Sequence, residues 1–281
     1  MIPQRKLALL SNRLAQDGGR RIPEAVLERD YCLAWFLVGL SRTPLRERLA
    51  FKGGTALKRC YFGDYRFSED LDFTLRTEVP FDVIRQELEP VFAEVARAGG
   101  IAIRFAREDK VVHQNSHTFY LSYEGPLPPT ARPKEVKVDI TIKEEVVFPL
   151  ESRKVLRAYD EYQDLPEDAE VLAYSLSEIA AEKVVALLDA ARNEPRDLYD
   201  IWFLTSNEQV DLRDLTFAIE RKWEFRKKKP ADARGALDSK EARYKKLWDI
   251  RLAAQMAELP EYAKVFRFVR RALRAANIIG T

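Results

Sequence analysis

The strongest constraint in the sequence is a diglycine that is followed, after 15 residues, by two aspartates spaced two apart. Gly53 and Gly54 come after the apolar segment LAFK at residues 49–52 and before a helix-forming segment that Thr55 opens. Paired glycines adopt backbone conformations closed to other residues and let a phosphate approach main-chain N–H groups. A helix N-terminus also favours an anion. The pattern predicts a strand, a phosphate-binding turn and a short helix.

The second half of this feature is the segment RFSEDLDF at residues 66–73. On a strand, Asp70 and Asp72 share one face, and the apolar residues between and after them take the other. Neighbouring carboxylates repel each other unless a cation lies between them, and a hard divalent ion is the usual solution. Ser68 is a candidate for binding a phosphate oxygen or for capping the loop. A phosphate-binding turn beside paired carboxylates is typical of phosphoryl or nucleotidyl transfer.

Asp139 is the candidate for a third carboxylate. Valine and isoleucine alternate with polar residues from 136 to 142, which places Asp139 on the polar face of a half-buried strand. By itself it would be an ordinary surface aspartate. Together with Asp70 and Asp72 we expect it to hold two Mg²⁺ ions and to help deprotonate an attacking hydroxyl.

Lys183, Asp197 and Asp200 form a second group of candidates in the helical C-terminal half. Apolar residues lie at −4, −3, +3, +4 and +7 from Lys183, so it projects from a core-facing stripe. Its stem either passes the core edge to reach water or carries the ammonium to a triphosphate, and we favour the second. Asp197 and Asp200 share a helical face and would orient Lys183 or contact the nucleotide. The alternative for Asp197 is the helix dipole, which favours an acid in a first turn. Arg196 is a possible partner for either acid.

A basic segment near the C-terminus is the candidate for nucleic-acid binding. Residues 221–246 carry 11 Lys or Arg and 4 Asp or Glu, a local net of +7 in a chain whose net charge is +2. Such a segment is most often a solvated face, but Trp223, Phe225 and Tyr244 among the charges favour phosphate contact with base stacking. A further five bases and no acid lie in residues 264–274. The candidate RNA-binding residues are Arg226, Lys227, Lys228, Lys229, Arg243, Lys245 and Lys246.

Composition and length favour a globular α+β protein. The chain has 281 residues, of which 46% are hydrophobic and 33% charged. Strand-like segments end near residue 149, which predicts a mixed sheet flanked by helices in residues 1–160. A helical domain in 161–281 would complete the nucleotide cleft and carry the basic surface. Cys32 and Cys60 lie in apolar contexts and are expected to be reduced thiols of a cytoplasmic protein. The longest apolar run has ten residues, shorter than the roughly 18 of a membrane span, so no membrane partner is expected.

Four ordered motifs resemble the AbiEii/MenT-type nucleotidyltransferase toxins, over residues 25–205. They are LAFKGGTAL at 49–57, RFSEDLDF at 66–73, AEKVVAL at 181–187 and RDLYDIW at 196–202. The resemblance implies a polymerase-beta-like nucleotidyltransferase domain followed by a helical domain. It also implies an NTP substrate and a separately encoded antitoxin, and in some members the acceptor is the tRNA 3′ end. By motif position Asp70, Asp72, Lys183 and Asp197 or Asp200 take the catalytic roles, and Ser68 a phosphate contact.

The sequence therefore predicts a Mg²⁺-dependent nucleotidyltransferase toxin that acts on RNA, with tRNA as the expected acceptor. An acceptor hydroxyl would attack the α-phosphorus of the bound NTP. One alternative is nucleotidylation of a protein hydroxyl. Another is a non-catalytic nucleotide- or RNA-binding module, which three metal-site acids argue against, because a binder does not need them. The predicted nucleotide-binding residues are Gly53, Gly54, Thr55, Ser68 and Lys183.

Overall fold

The computed structural model describes residues 1–16, 19–111, 113–207, 209–227 and 233–280, without the side chain of Arg234. Two compact units are present. Unit 1 comprises Met1–Glu144 and Leu150–Ala173, and unit 2 comprises Glu145–Pro149 and Tyr174–Thr281. Across the described ranges, every helix is too short or too polar to span a bilayer.

Unit 1 is built on a mixed sheet. Its strand order is β3-β4-β5-β2-β1-β7-β6 in the described residues. The central strand β2 runs parallel to β5 and antiparallel to β1. The strands are β1 (Leu49–Lys52), β2 (Leu71–Leu75), β3 (Ala102–Glu108), β4 (Ser116–Glu124), β5 (Lys134–Thr141), β6 (Leu150–Lys154) and β7 (Glu170–Tyr174).

The helices of unit 1 are α1 (Gln4–Gln16), α2 (Glu24–Ser41), α3 (Gly53–Ala56) and α4 (Phe81–Gly99). The short α3 continues directly into a π-helical turn, Leu57–Tyr61. Buried side chains anchor this turn. Arg59 forms an ion pair with Asp30 of α2, both almost fully buried. The segment that follows the diglycine is therefore tied to the core, which fixes where the turn lies.

The buried Lys58 side chain holds the loop between the π-helical turn and β2. Its ammonium donates to the Gly63 carbonyl at 2.7 Å and to the Tyr159 hydroxyl at 2.9 Å. It also lies 4.4 Å from the centre of the Phe67 ring. Burial lowers the pKa of Lys58 to about 7. This one side chain thus contacts two positions of the loop that leads to the aspartates, Gly63 and Phe67.

Unit 2 is helical. Its helices are α5 (Leu176–Leu187), α6 (Pro195–Ser206), α7 (Thr216–Phe225), α8 (Ala233–Leu252) and α9 (Tyr262–Ala275). Ser175 caps α5 by accepting from the Glu178 N–H. The buried Glu178 carboxylate accepts from the N–H groups of Val147 and Phe148 and pairs with Lys222 at 2.5 Å. These bonds explain why the short segment Glu145–Pro149 folds with unit 2.

The predicted α+β class, with a mixed sheet followed by helices, is confirmed. The prediction that strands end near residue 149 is wrong, because β6 and β7 follow it. Both are five residues long, and β6 is an edge strand with charged side chains. Edge strands carry charges that hide hydrophobic alternation.

Candidate active site

The diglycine turn lies against the aspartate-bearing strand. Gly53 has φ +77°, and a Cβ added there would lie 2.5 Å from Oδ2 of Asp72. A Cβ at Gly54 would lie 2.6 Å from a guanidinium nitrogen of Arg66 and 3.3 Å from the Ser68 hydroxyl. Glycine is required at Gly53, where φ is positive and a side chain would meet the Asp72 carboxylate, whereas at Gly54 a side chain would displace the Arg66 guanidinium.

Thr55 ties the turn to the start of β2. Its hydroxyl donates to the Asp70 carbonyl at 2.5 Å, and the residue is almost fully buried. This bond gives Thr55 a positioning role between the turn and Asp70. A phosphate contact by its side chain stays a prediction.

Two of the three acidic candidates of unit 1 share one face of the sheet. Asp72 of β2 pairs in register with Asp139 of β5, and on its other side with Lys52 of β1. Residues in register on adjacent strands lie side by side. Asp70 comes two before Asp72, and both are half-buried while Leu71 between them is fully buried. Asp72 and Asp139 therefore project from the same side of the sheet, and Asp70 immediately precedes β2.

Lys137 joins this face and was not among the predicted site residues. Its ammonium lies 3.3 Å from Oδ2 of Asp139. Burial alone would lower the pKa of Lys137, but the charges of Asp139, Asp70 and Asp72 outweigh it and raise the pKa. One lysine thus lies in the field of all three carboxylates. The sequence could have indicated this, because Lys137 lies two residues before Asp139 and therefore on the same, polar face of the predicted strand.

The carboxylates match the chemistry of Mg²⁺. Within the described ranges, no group of three or more His, Cys, Asp or Glu side chains could hold a metal by itself. Mg²⁺ is usually bound by one or two carboxylates, with water and substrate phosphates completing its shell. Asp72 and Asp139 supply two such groups side by side. The donor set therefore fits Mg²⁺ that binds together with a nucleotide.

Replacing Gly53 with alanine should both destabilise unit 1 and impair transfer. The positive φ and the clash with Asp72 are expected to lower the free energy of unfolding by about 1–3 kcal/mol. Urea denaturation and a transfer assay measure the two effects. Gly235→Ala in α8 is the control, because its Cβ would enter open space and a helical Gly→Ala change stabilises by up to about 1 kcal/mol. A Gly53→Ala protein as stable as the parent would contradict the turn geometry.

In unit 2, Lys183 is held by the two predicted acids. Its ammonium lies 2.9 Å from Asp197 and 2.7 Å from Asp200. Both acids are fully buried, and the lysine side chain is 12% exposed. Arg192 contributes a second cation, 2.6 Å from Asp197. We call these four residues the Lys183 cluster.

The Lys183 cluster contains one residue that sequence reasoning missed. Arg192, from the α5–α6 connection, is the arginine that pairs with Asp197. The suggestion that Arg196 pairs with either acid is wrong, because Arg196 pairs with Glu194 at 3.2 Å. Burial would raise the pKa of Asp197, but the charges of Lys183 and Arg192 lower it overall. The two cations therefore keep this buried acid ionised.

The predicted RNA-binding residues differ in their surroundings. Arg226 pairs with Glu182 at 3.2 Å, Lys227 is exposed, and Lys228 and Lys229 lie outside the described residues. The expectation that Trp223 and Tyr244 stack on bases is wrong, because both are buried in unit 2. Phe225 remains 42% exposed. The three candidates on α8, all exposed, are Arg243, Lys245 and Lys246.

Comparisons with known proteins agree with the motifs. The family model for the nucleotidyl transferase AbiEii toxin of type IV toxin–antitoxin systems matches residues 35–272. Among curated proteins, no significant match is found.

Two solved structures share the fold. The nucleotidyltransferase toxin MenT4 from Mycobacterium tuberculosis superposes with a TM-score of 0.56 at 19% identity, covering 98% of this chain and 99% of that one. JHP933 from Helicobacter pylori gives 0.55 at 20% identity, covering 91% and 93%. At this identity the structures support the fold, whereas the family model spans most of the sequence. The chain therefore belongs to the AbiEii nucleotidyltransferase toxins and is a nucleotidyltransferase.

Proposed function

We propose that this toxin transfers a nucleoside monophosphate from an NTP to an RNA hydroxyl in a Mg²⁺-dependent reaction. We further propose the tRNA 3′ end as the acceptor and a cognate antitoxin as the neutralising partner. The observation that carries the proposal is the pair of Asp72 and Asp139, in register on adjacent strands beside the Gly53 turn. The family supplies the reaction class, and this pair supplies the chemistry that such a reaction needs.

In the proposed reaction, the residues of unit 1 have three roles: phosphate binding, metal binding and proton transfer. Main-chain N–H groups at Gly53 and Gly54, with the Ser68 hydroxyl, bind the triphosphate. Asp70, Asp72 and Asp139 would hold Mg²⁺, which when bound would supply charge neutralisation on the phosphates and would lower the pKa of the acceptor hydroxyl. Asp139 also takes up the hydroxyl proton. The acceptor oxygen forms a bond to the α-phosphorus, and the bond to the β-phosphate oxygen breaks, so pyrophosphate leaves with the electron pair.

In unit 2 we assign phosphate binding to Lys183. Its ammonium is fixed by Asp197 and Asp200, so little side-chain entropy is lost when it binds an anion. With Arg192, the two cations of the Lys183 cluster balance its two carboxylates. The acids are buried, and the partly exposed Lys183 ammonium is the charge that a phosphate would meet. A fixed point charge of this kind suits a phosphate oxygen.

Labelled nucleotides test the proposed function. The purified protein is incubated with Mg²⁺ and each of the four labelled NTPs, in the presence of separate RNA and protein pools. We expect label at RNA 3′ ends, located by 3′-end sequencing, together with release of pyrophosphate. Label on protein would instead establish nucleotidylation of a protein hydroxyl. Nucleotide binding without pyrophosphate release would establish a non-catalytic module.

Replacing Lys137 with methionine should tighten metal binding in the absence of nucleotide. The lysine charge opposes a divalent ion at the same carboxylates, and at this half-exposed position its removal is expected to stabilise binding by about 1 kcal/mol, or about fivefold. Mn²⁺ binding followed by electron paramagnetic resonance measures the effect. Lys143→Met is the matched control, since that lysine pairs with Glu78. Equal Mn²⁺ affinities in all three proteins would contradict a metal at Asp139.

A further inference from the structure

The exposed face of α9 is the basic surface that the proposed chemistry leaves without a role. Its buried stripe includes Val265, Val269 and Leu273, which pack into unit 2. The exposed stripe carries Lys264, Arg267, Phe268 and Arg271, at helical spacings of three and four. From residue 262 to the end of the sequence there is no acidic residue. The helix therefore presents one face of uniform positive charge with an aromatic ring in its middle.

In the described part of unit 2, the cations of this face form only weak interactions with acidic groups. Lys264 lies 3.9 Å from Glu261, and both side chains are more than half exposed, a contact that contributes little in water. Arg267 donates to the Ala263 carbonyl of its own helix, which does not neutralise its charge. Among the described residues, Arg270 is the arginine of α9 that pairs with an acid, and it lies 3.1 Å from Asp238. The charges on the exposed stripe are thus available to an anionic partner.

A groove with a mixed apolar and polar lining adjoins Phe268. It has a volume of about 550 Å³, and its lining includes Phe268, Ala272 and Ala275 of α9 together with Thr205, Val210 and Leu212. Arg213 and Asp211 also line it and form a salt bridge with each other at 2.5 Å. Pockets of several hundred Å³ bind small ligands through apolar side chains and a few polar groups that fix the orientation. A nucleobase, with apolar ring faces and a polar edge, suits a lining of this mixed kind.

We propose that the exposed face of α9 and the adjoining groove form a binding surface for single-stranded RNA. From Lys264 to Arg271 the helix rises about 10 Å, so the three cations contact neighbouring phosphates of one strand. Phe268 stacks on a base at the mouth of the groove. An acidic protein would match the charges but would leave the aromatic side chain and the groove without a function. This inference rests on the proposed function in that RNA is the acceptor.

Salt-dependent binding tests the surface. A labelled 12-nucleotide single-stranded RNA of mixed sequence is titrated with the full chain at several KCl concentrations, without NTP or Mg²⁺. In the variant Lys264→Gln/Arg267→Gln/Arg271→Gln, the slope of log affinity against log salt should fall by about 2, at about 0.7 per phosphate contact. Phe268→Ala should weaken binding by about tenfold with an unchanged slope. Arg267→Lys/Arg271→Lys keeps the charges and should keep the slope.

The control removes three exposed charges from unit 1 with Lys110→Gln/Arg132→Gln/Lys154→Gln. An unchanged slope in the α9 triple variant, or an equal fall in the control, would overturn the proposal, and so would full affinity in Phe268→Ala. Because these titrations contain neither metal nor nucleotide, they are independent of catalysis. Full transfer activity in Asp72→Asn, together with the expected slope change in the α9 triple variant, would remove the catalytic proposal and keep this surface.

Discussion

Replacing Asp72 with asparagine is expected to lower the rate of nucleotide transfer by at least about 10³-fold while leaving unit 1 folded. That loss corresponds to about 4 kcal/mol of transition-state stabilisation. The substitution keeps the shape of the side chain but removes the charge that faces Asp139 in the next strand. Metal-assisted transfer depends on such charge, because it holds the cation that neutralises the phosphates. Asp70→Asn should behave in the same way.

The measurement is the specificity constant for transfer to RNA, with the unfolding temperature recorded for each variant. Asp72 is half-buried, so its neutral isostere should change stability little. Asp168→Asn is the matched control, because Asp168 is also in unit 1 and its side chain is 84% exposed. Retained turnover in a folded Asp70→Asn/Asp72→Asn protein would refute the mechanism.

Replacing Lys183 with methionine should destabilise the protein by about 3–5 kcal/mol and abolish transfer. Asp197 and Asp200 are both fully buried, and the substitution removes the ammonium that lies within 3 Å of each. Breaking a buried ion pair from one side leaves a charge without compensation, which accounts for the size of the expected effect. Arg192 would still neutralise Asp197, so Asp200 should bear most of the cost.

A compensated variant separates stability from catalysis. In Lys183→Met/Asp197→Asn/Asp200→Asn no buried carboxylate remains in the cluster, so urea denaturation should show most of the lost stability restored. Transfer should stay absent, since the phosphate-binding ammonium is still missing. If Lys183→Met is as stable as the parent protein, the Lys183 cluster is not the buried network described above. If the compensated variant regains activity, Lys183 has only a structural role.

The central elements of unit 1 were predictable from local pattern. β1 was predicted at its observed bounds, and the diglycine turn, β2 and β5 were predicted within one or two residues. Each combines a local signal, glycine pairs or period-two alternation, with a partner strand that buries the same face. The strand β6 was missed because it is an edge strand with charged side chains, and β7, which lies between β1 and β6, is only five residues long.

The side-chain environments in unit 2 were less predictable. Trp223 and Tyr244 lie in basic sequence, yet both are buried, because a helix places neighbouring residues on opposite faces. Arg192 pairs with Asp197 from a connection between helices, where periodicity carries no information. The resemblance to the toxin family was confirmed because it depended on ordered motifs rather than on any single side chain.

The sequence by itself determined the family, the class of fold and the segments that carry the acidic and glycine-rich motifs, since these depend on residue type and short-range spacing. Only the tertiary structure decided which side chains are neighbours. Strand register places Asp139 beside Asp72. Lys137 lies close enough to interact electrostatically with both. Helix packing places Asp197 and Asp200 against Lys183. These pairings depend on contacts between residues that are far apart in the chain, and local spacing cannot predict such contacts.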